Sequence, residues 1–338
     1  MTHSRYASHA SMLRYAVCAG LVLGQPVLAH AAVPSGCSMN EQWTLPLTYT
    51  EDMRPVAQAQ INGKPVSVML TTGDAKSIVF NKKVLDQLGV PMRQSTGFMA
   101  DEDERNPHGV DIVETVTLGK VDSFSFGVYK NKNAEYFVED FMDDTYGVRI
   151  GANTLLKTDI EIALDAGHLK AFRPDGCMRE HMAYWDPKAV AVPTMSDPFN
   201  RDRRFVFMVR INGTNVRALL STGTPQTYVP LATAARLGLT PRSAGATRED
   251  PLPGHGADKP VWKVPVPQLS VGALDVKDMD VRLVDLPHAG DFLILGTDFL
   301  HRYRVYMAKS QNLVYFSPIA SPRTLKRGSV NVIPHLMR

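Results

Sequence analysis

Ile61-Asn62-Gly63-Lys64-Pro65-Val66-Ser67-Val68-Met69-Leu70-Thr71-Thr72-Gly73 decides the fold, because the chain says it twice. It lies without a gap over Ile211-Asn212-Gly213-Thr214-Asn215-Val216-Arg217-Ala218-Leu219-Leu220-Ser221-Thr222-Gly223, at an offset of 150 and with seven of thirteen positions identical. Two later matches keep the order. Leu88-Gly89-Val90 answers Leu237-Gly238-Leu239, and Ile150-Gly151-Ala152-Asn153-Thr154-Leu155 answers Leu295-Gly296-Thr297-Asp298-Phe299-Leu300. Three matches in one order at nearly constant spacing mark an internal duplication, which fixes architecture before any element is assigned.

Within each copy the pattern is that of β-structure. Val66 to Leu70 and Arg204 to Arg210 are short β-branched or aromatic runs, and the Asn-Gly pairs at 62–63 and 212–213 are strong hairpin-turn dipeptides. Each copy therefore opens on a hairpin whose second strand runs into a Thr-Gly loop. A short helix is expected near Lys82 to Leu88 and near Leu231 to Leu237. Further strands are expected at Val113 to Leu118, Ser123 to Val128, Ile160 to Leu164 and Leu169 to Phe172, then at Val261 to Val266, Val281 to Val284 and Val305 to Phe316. The expected fold class is mainly β, built as two copies of one unit.

Working outward, residues 1–31 read as a signal peptide. They hold Arg5 and Arg14 and no acid, an apolar run from Tyr15 to Leu28 that is too interrupted to span a bilayer, and Ala29-His30-Ala31 as a cleavage site. This predicts a periplasmic or secreted protein with no membrane span in the mature chain. The first unit is assigned to 32–177, a linker carrying Pro187, Pro193 and Pro198 to 178–202, the second unit to 203–320 and a basic tail to 321–338. Removing the leader takes Cys18, leaving Cys37 and Cys177, an even pair expected to form a disulfide in an oxidising compartment. The formal charge of +3 becomes about +1 without Arg5 and Arg14, which gives no electrostatic case for nucleic acid.

A strand, a Thr-Gly loop, a helix ending Leu-Gly-hydrophobic, a flap region and a hydrophobic-Gly segment before a last hairpin together resemble the retropepsin-type aspartic peptidase domain, present here twice and similar to secreted bacterial aspartyl proteases. The resemblance implies retropepsin- or pepsin-like closed β units that pair about a pseudo-twofold axis within a monomer, the chain supplying both halves, so that the two loops meet beneath a substrate cleft. It also exposes a departure: Thr71 and Ser221 stand where the family has its two catalytic aspartates. In the family these carboxyls, roughly 3 Å apart, share one proton, so one acts as base and the other as acid. A hydroxyl neither holds a charge nor gives up a proton readily near neutral pH, so the usual hydrolysis is expected to be lost. The cradle residues Thr72, Gly73, Thr222, Gly223 and Thr224 remain as candidate binding positions.

Asp74 follows the first loop where the family has a small residue. It is a candidate lone acid, against the reading that it caps a turn. Ser221 lacks a Gly-x-Ser-x-Gly elbow, so a serine nucleophile is not supported. Asp101 to Glu104 and the cluster Glu139, Asp140, Asp143 and Asp144 lack calcium-loop spacing and read as solvated loops. His255, in Pro253-Gly254-His255-Gly256, reads as a binding residue of the second flap rather than a metal ligand, and neither cofactor nor metal is expected. Three functions stay open: an inactive pseudo-peptidase that binds an extended peptide or partner protein between the units, an active endopeptidase using Asp74 or an unforeseen acid, and a structural envelope-interaction domain.

Overall fold

Both Asn-Gly pairs make the tight turn their residues favour. Asn62 and Gly63 take φ of 50° and 75°, and Asn212 and Gly213 take 49° and 82°. Two successive left-handed residues match the twist of a hairpin, and Asn and Gly adopt them at least cost. The computed structural model describes residues 36–99, 112–141, 145–195, 202–252, 259–285 and 291–319. The leader, Asp101 to Arg105, Asp143, Asp144, the His255 loop and the tail lie outside them.

In the first lobe the strands are β1 (Ser38–Pro46), β2 (Thr48–Tyr49), β3 (Pro55–Ile61), β4 (Lys64–Leu70), β5 (Ile78–Asn81), β6 (Met92–Met99), β7 (Ile112–Phe126), β8 (Tyr129–Glu139), β9 (Val148–Ile150), β10 (Asp159–Ala163) and β11 (His168–Asp175). Helix α1 (Lys82–Leu88) follows β5, and α2 (Ala152–Leu155) follows β9. Asn81 caps α1 by accepting from the Lys83 amide, and Gly89 closes it in the left-handed region. After β12 (Val190–Met195), the second lobe has β13 (Val206–Ile211), β14 (Thr214–Leu220), β15 (Tyr228–Pro230), α3 (Leu231–Arg236), β16 (Thr247–Glu249), β17 (Val261–Val266), β18 (Leu269–Val271), β19 (Leu274–Val276), β20 (Met279–Val284), β21 (Leu293–Leu295), α4 (Thr297–Leu300), β22 (Tyr303–Ala308) and β23 (Leu313–Pro318).

The lobes match pairing by pairing. The β3–β4 hairpin sets Val56 opposite Met69, and the β13–β14 hairpin sets Val206 opposite Leu219, again 150 residues on. β4 runs parallel to β9 as β14 does to β21, and β5 runs parallel to β8 as β15 does to β20. The mainly β, two-lobed fold is thus in place, with hairpins β6–β7 and β16–β17 in corresponding positions.

Three expectations are corrected. Val113 to Leu118 and Ser123 to Phe126 belong to one strand, β7, because Gly119 holds its register opposite Tyr136 and lets Leu85 of α1 pack against the backbone, while Val128 falls in the turn to β8. In the second lobe Pro267, which cannot donate to a ladder, separates β17 from β18. Val305 to Phe316 is a hairpin, turning at Asn312 with φ of 56°. The linker is not merely a linker: β12 within it pairs antiparallel with β23, as β1 pairs with β11. Its short alternation of apolar residues was masked by the surrounding prolines.

Those strands build a sheet shared by both lobes, in the order β1-β11-β10-β22-β23-β12, with β10 and β22 joining the lobes. One face, carrying Ile160, Ile162, Val305 and Met307, faces the main core. The other carries Phe172, Tyr306 and Tyr315 and is covered by Met182 and Ala183 from the connecting segment. The disulfide between Cys37 and Cys177 ties the start of β1 to that segment. All described residues belong to one compact body beginning at Gly36. Among them no helix is long and apolar enough to cross a membrane.

Candidate active site

The loops that follow β4 and β14 meet face to face. Each hangs from its own lobe by the same bond, Thr71 N–H to Ile150 C=O and Ser221 N–H to Leu295 C=O, both 2.9 Å. Gly151 and Gly296 lie beneath. A Cβ on either would come within 2.1 Å of Lys76 O or 2.4 Å of Gln226 O, so only glycine lets the loop settle. The next amides complete the support, Ala152 N–H to Asp74 C=O at 2.7 Å and Thr297 N–H to Thr224 C=O at 2.8 Å.

Across the junction the loops interlock reciprocally. Thr72 Oγ1 donates to Leu220 O at 2.7 Å, and Thr222 Oγ1 donates to Leu70 O at 2.6 Å. Each hydroxyl also accepts from the other threonine's amide, at 3.2 and 3.3 Å. Both threonines are fully buried, so these four bonds satisfy groups that water cannot reach. Thr71 and Ser221 lie at the junction itself. A Cβ on Gly73 would stand 2.7 Å from Ser221 Oγ, and one on Gly223 would stand 2.7 Å from Thr71 Oγ1. Each hydroxyl thus rests on the opposite lobe's glycine. Among the described residues neither side-chain hydroxyl has a protein hydrogen-bond partner.

A cleft of about 260 Å³ opens over the pair, lined by Arg54, Met69, Asp74, Tyr146 and Arg149 from the first lobe and Thr224 and Ile294 from the second. Asp74 is engaged elsewhere: Oδ1 accepts from the Lys76 amide at 2.9 Å, and Oδ2 lies 2.9 Å from Arg149 Nε. That Nε–H does not point at the oxygen, so the contact is an ion pair rather than a hydrogen bond. Arg149 Nη2 donates to Glu139 Oε2 at 2.8 Å, and Lys76 Nζ meets the other oxygen of Glu139. Burial pushes the Glu139 carboxyl up, but the two cations outweigh it and hold it below the usual range. Thr224, the counterpart of Asp74, donates to Ser221 O at 3.3 Å.

Asp298 in the second lobe accepts from the Thr227 amide and hydroxyl and from the Phe299 amide, at 2.8–2.9 Å, and burial raises its carboxyl above the usual range. It braces the loop from behind. Sequence reasoning missed Arg149, although overlaying the repeats shows it: Val148-Arg149-Ile150 answers Leu293-Ile294-Leu295, a charge in place of an aliphatic residue. Arg54, Met69 and Tyr146 carry no such signal. Cys37 and Cys177 are bonded far from the cleft, and His255 lies outside the described residues. Among those residues no cluster of His, Cys, Asp and Glu could hold a metal.

This geometry, two β lobes closing threonine-glycine loops over one cleft, defines an aspartic-protease-like fold. Residues 207–302, within the second lobe, match the family model described as gag-polyprotein putative aspartyl protease. No curated protein matches the chain.

Proposed function

We propose that the chain is a secreted, catalytically inactive relative of aspartic peptidases that binds an extended peptide or a segment of a partner protein between its lobes. One observation carries this reading: the interlocked cradle is complete, yet two neutral hydroxyls, Thr71 and Ser221, occupy its centre. A hydroxyl pair can donate to and accept from a peptide bond, but it lacks the shared proton that activates water and protonates the leaving amine. Loss of chemistry leaves the binding of an extended backbone intact. Asp74 does not supply the missing base, because an amide and a guanidinium hold its carboxylate. Export to the periplasm or outside the cell is supported by the leader sequence and by the disulfide.

Incubating the mature protein with a mixed peptide library from pH 3 to 7 is expected to yield captured peptides and no cleavage. Thr71→Asp combined with Ser221→Asp is expected to create hydrolysis with an acid optimum. Turnover by the unaltered protein that disappears in Asp74→Asn would overturn the inactive reading.

A further inference from the structure

Away from the cleft, on the covered face of the shared sheet, Glu161 of β10 is completely buried. Its Oε1 accepts from Arg304 of β22, with Nε at 2.9 Å and Nη2 also in contact, and lies 3.2 Å from His168 Nε2 of β11. Its Oε2 accepts from Tyr184 of the connecting segment at 2.6 Å. Arg304 lies 4.2 Å over the Trp185 ring. One carboxylate thus gathers groups from both lobes and from the segment that covers the sheet. The same segment is held by Gln311, which donates to Cys177 O and Glu180 O, and by Ser317, which donates to Asp186.

We propose that Glu161, Arg304, His168 and Tyr184 form an acid-sensitive lock that fastens residues 178–189 onto the shared sheet and fixes the lobes at one angle. Protonating Glu161 removes the negative charge that Arg304 pairs with and weakens the acceptor that Tyr184 uses, leaving a guanidinium partly desolvated against Trp185 without its counter-charge. Breaking one side of a buried pair is far more disruptive than never having had it. Burial pushes the Glu161 carboxyl up, but donors from His168, Tyr184 and Arg304 outweigh it and hold it below the usual range. Release therefore belongs below about pH 4.5, the ordinary value for this carboxyl.

Other ionisable groups face the same layer. Lys170 of β11 pairs with Glu41 of β1, and His181 of the connecting segment packs on Tyr315 of β23. Asp159 of β10 is held by Ser310 and Tyr306, and burial moves its carboxyl upward, the opposite direction to Glu161. Lys309 follows β22, and burial lowers it.

Trp185 reports on the lock. Its emission is the difference between spectra of the full mature protein and of Trp185→Phe. On acidification below pH 4.5 it is expected to shift to the red while far-UV circular dichroism stays constant. Glu161→Gln is expected to show the shifted emission already at pH 7, with no acid step. Tyr184→Phe, which loses one hydroxyl and keeps the packing, is expected to raise the midpoint by roughly half a pH unit or more. Asp159→Asn is expected to leave the midpoint in place. A wild-type spectrum that moves only with global unfolding overturns the lock. So does an unchanged midpoint in Tyr184→Phe, or an acid step abolished by Asp159→Asn. If Glu161→Gln fails to fold, Tyr184→Phe decides.

Discussion

Thr72 and Thr222 each send a hydroxyl across the pseudo-twofold axis to the carbonyl ending the other lobe's hairpin strand, while the hydroxyls of their neighbours Thr71 and Ser221 have no protein partner among the described residues. The same chemical group thus fastens the lobes together at one position and lines the cleft at the next. Replacing Thr72 or Thr222 by Val leaves a buried carbonyl unsatisfied, so each change should lower unfolding free energy by about 1–3 kcal/mol. Because the two hydroxyls share one network, the double variant should lose less than the sum, as a denaturation double-mutant cycle would measure. At this scale the sequence was informative: the repeat placed both loops and their glycines. It could not place Arg149 against Glu139, since that contact depends on β5 holding β9 on one side and the end of β8 on the other.

Short elements were legible in proportion to how locally they are specified. Asn-Gly turns and the Asn81 and Gly89 caps of α1 are written in adjacent residues, and hairpins and helix follow from them. β12 was not legible, because its strand character comes from β23, more than a hundred residues away. The pairing of Glu161 with Arg304, 143 residues apart, is equally invisible along the chain. At this scale the disulfide fastens an edge: among the described residues β1 pairs with β11 alone, and Cys37 holds its start to Cys177. Cys37→Ser with Cys177→Ser should lower unfolding free energy by about 2–5 kcal/mol in urea denaturation, and adding a reductant to the double variant should cause no further loss.

Across the whole molecule, stability should fall on acidification in separable steps. His301, after α4, donates from Nε2 to Met53 O of the first lobe at 2.8 Å and packs on Tyr49, and burial pushes its imidazole below the ordinary 6.5. A folded value below the unfolded one means the neutral ring favours folding. That contribution is present above pH 6.5 and is lost as pH falls through the lowered value. His301→Gln keeps a donor toward Met53 O but cannot titrate, so its melting temperature should be flatter than wild type just below pH 6.5. Glu139 and Glu161, both lowered, act in the same sense below about pH 4.5, while the raised Asp159 and Asp298 gain as they take up protons and oppose the decline.

The crossed threonine bonds carry an implication about symmetry. Each lobe completes its neighbour's loop, so a lone lobe would leave its own buried carbonyl waiting for a second copy, and two identical copies would have to stay identical in every cleft-facing residue. Joining them in one polypeptide removes that obligation. One half can then carry Arg149 and Asp74 where the other carries Ile294 and Thr224, and the groove acquires a left and a right.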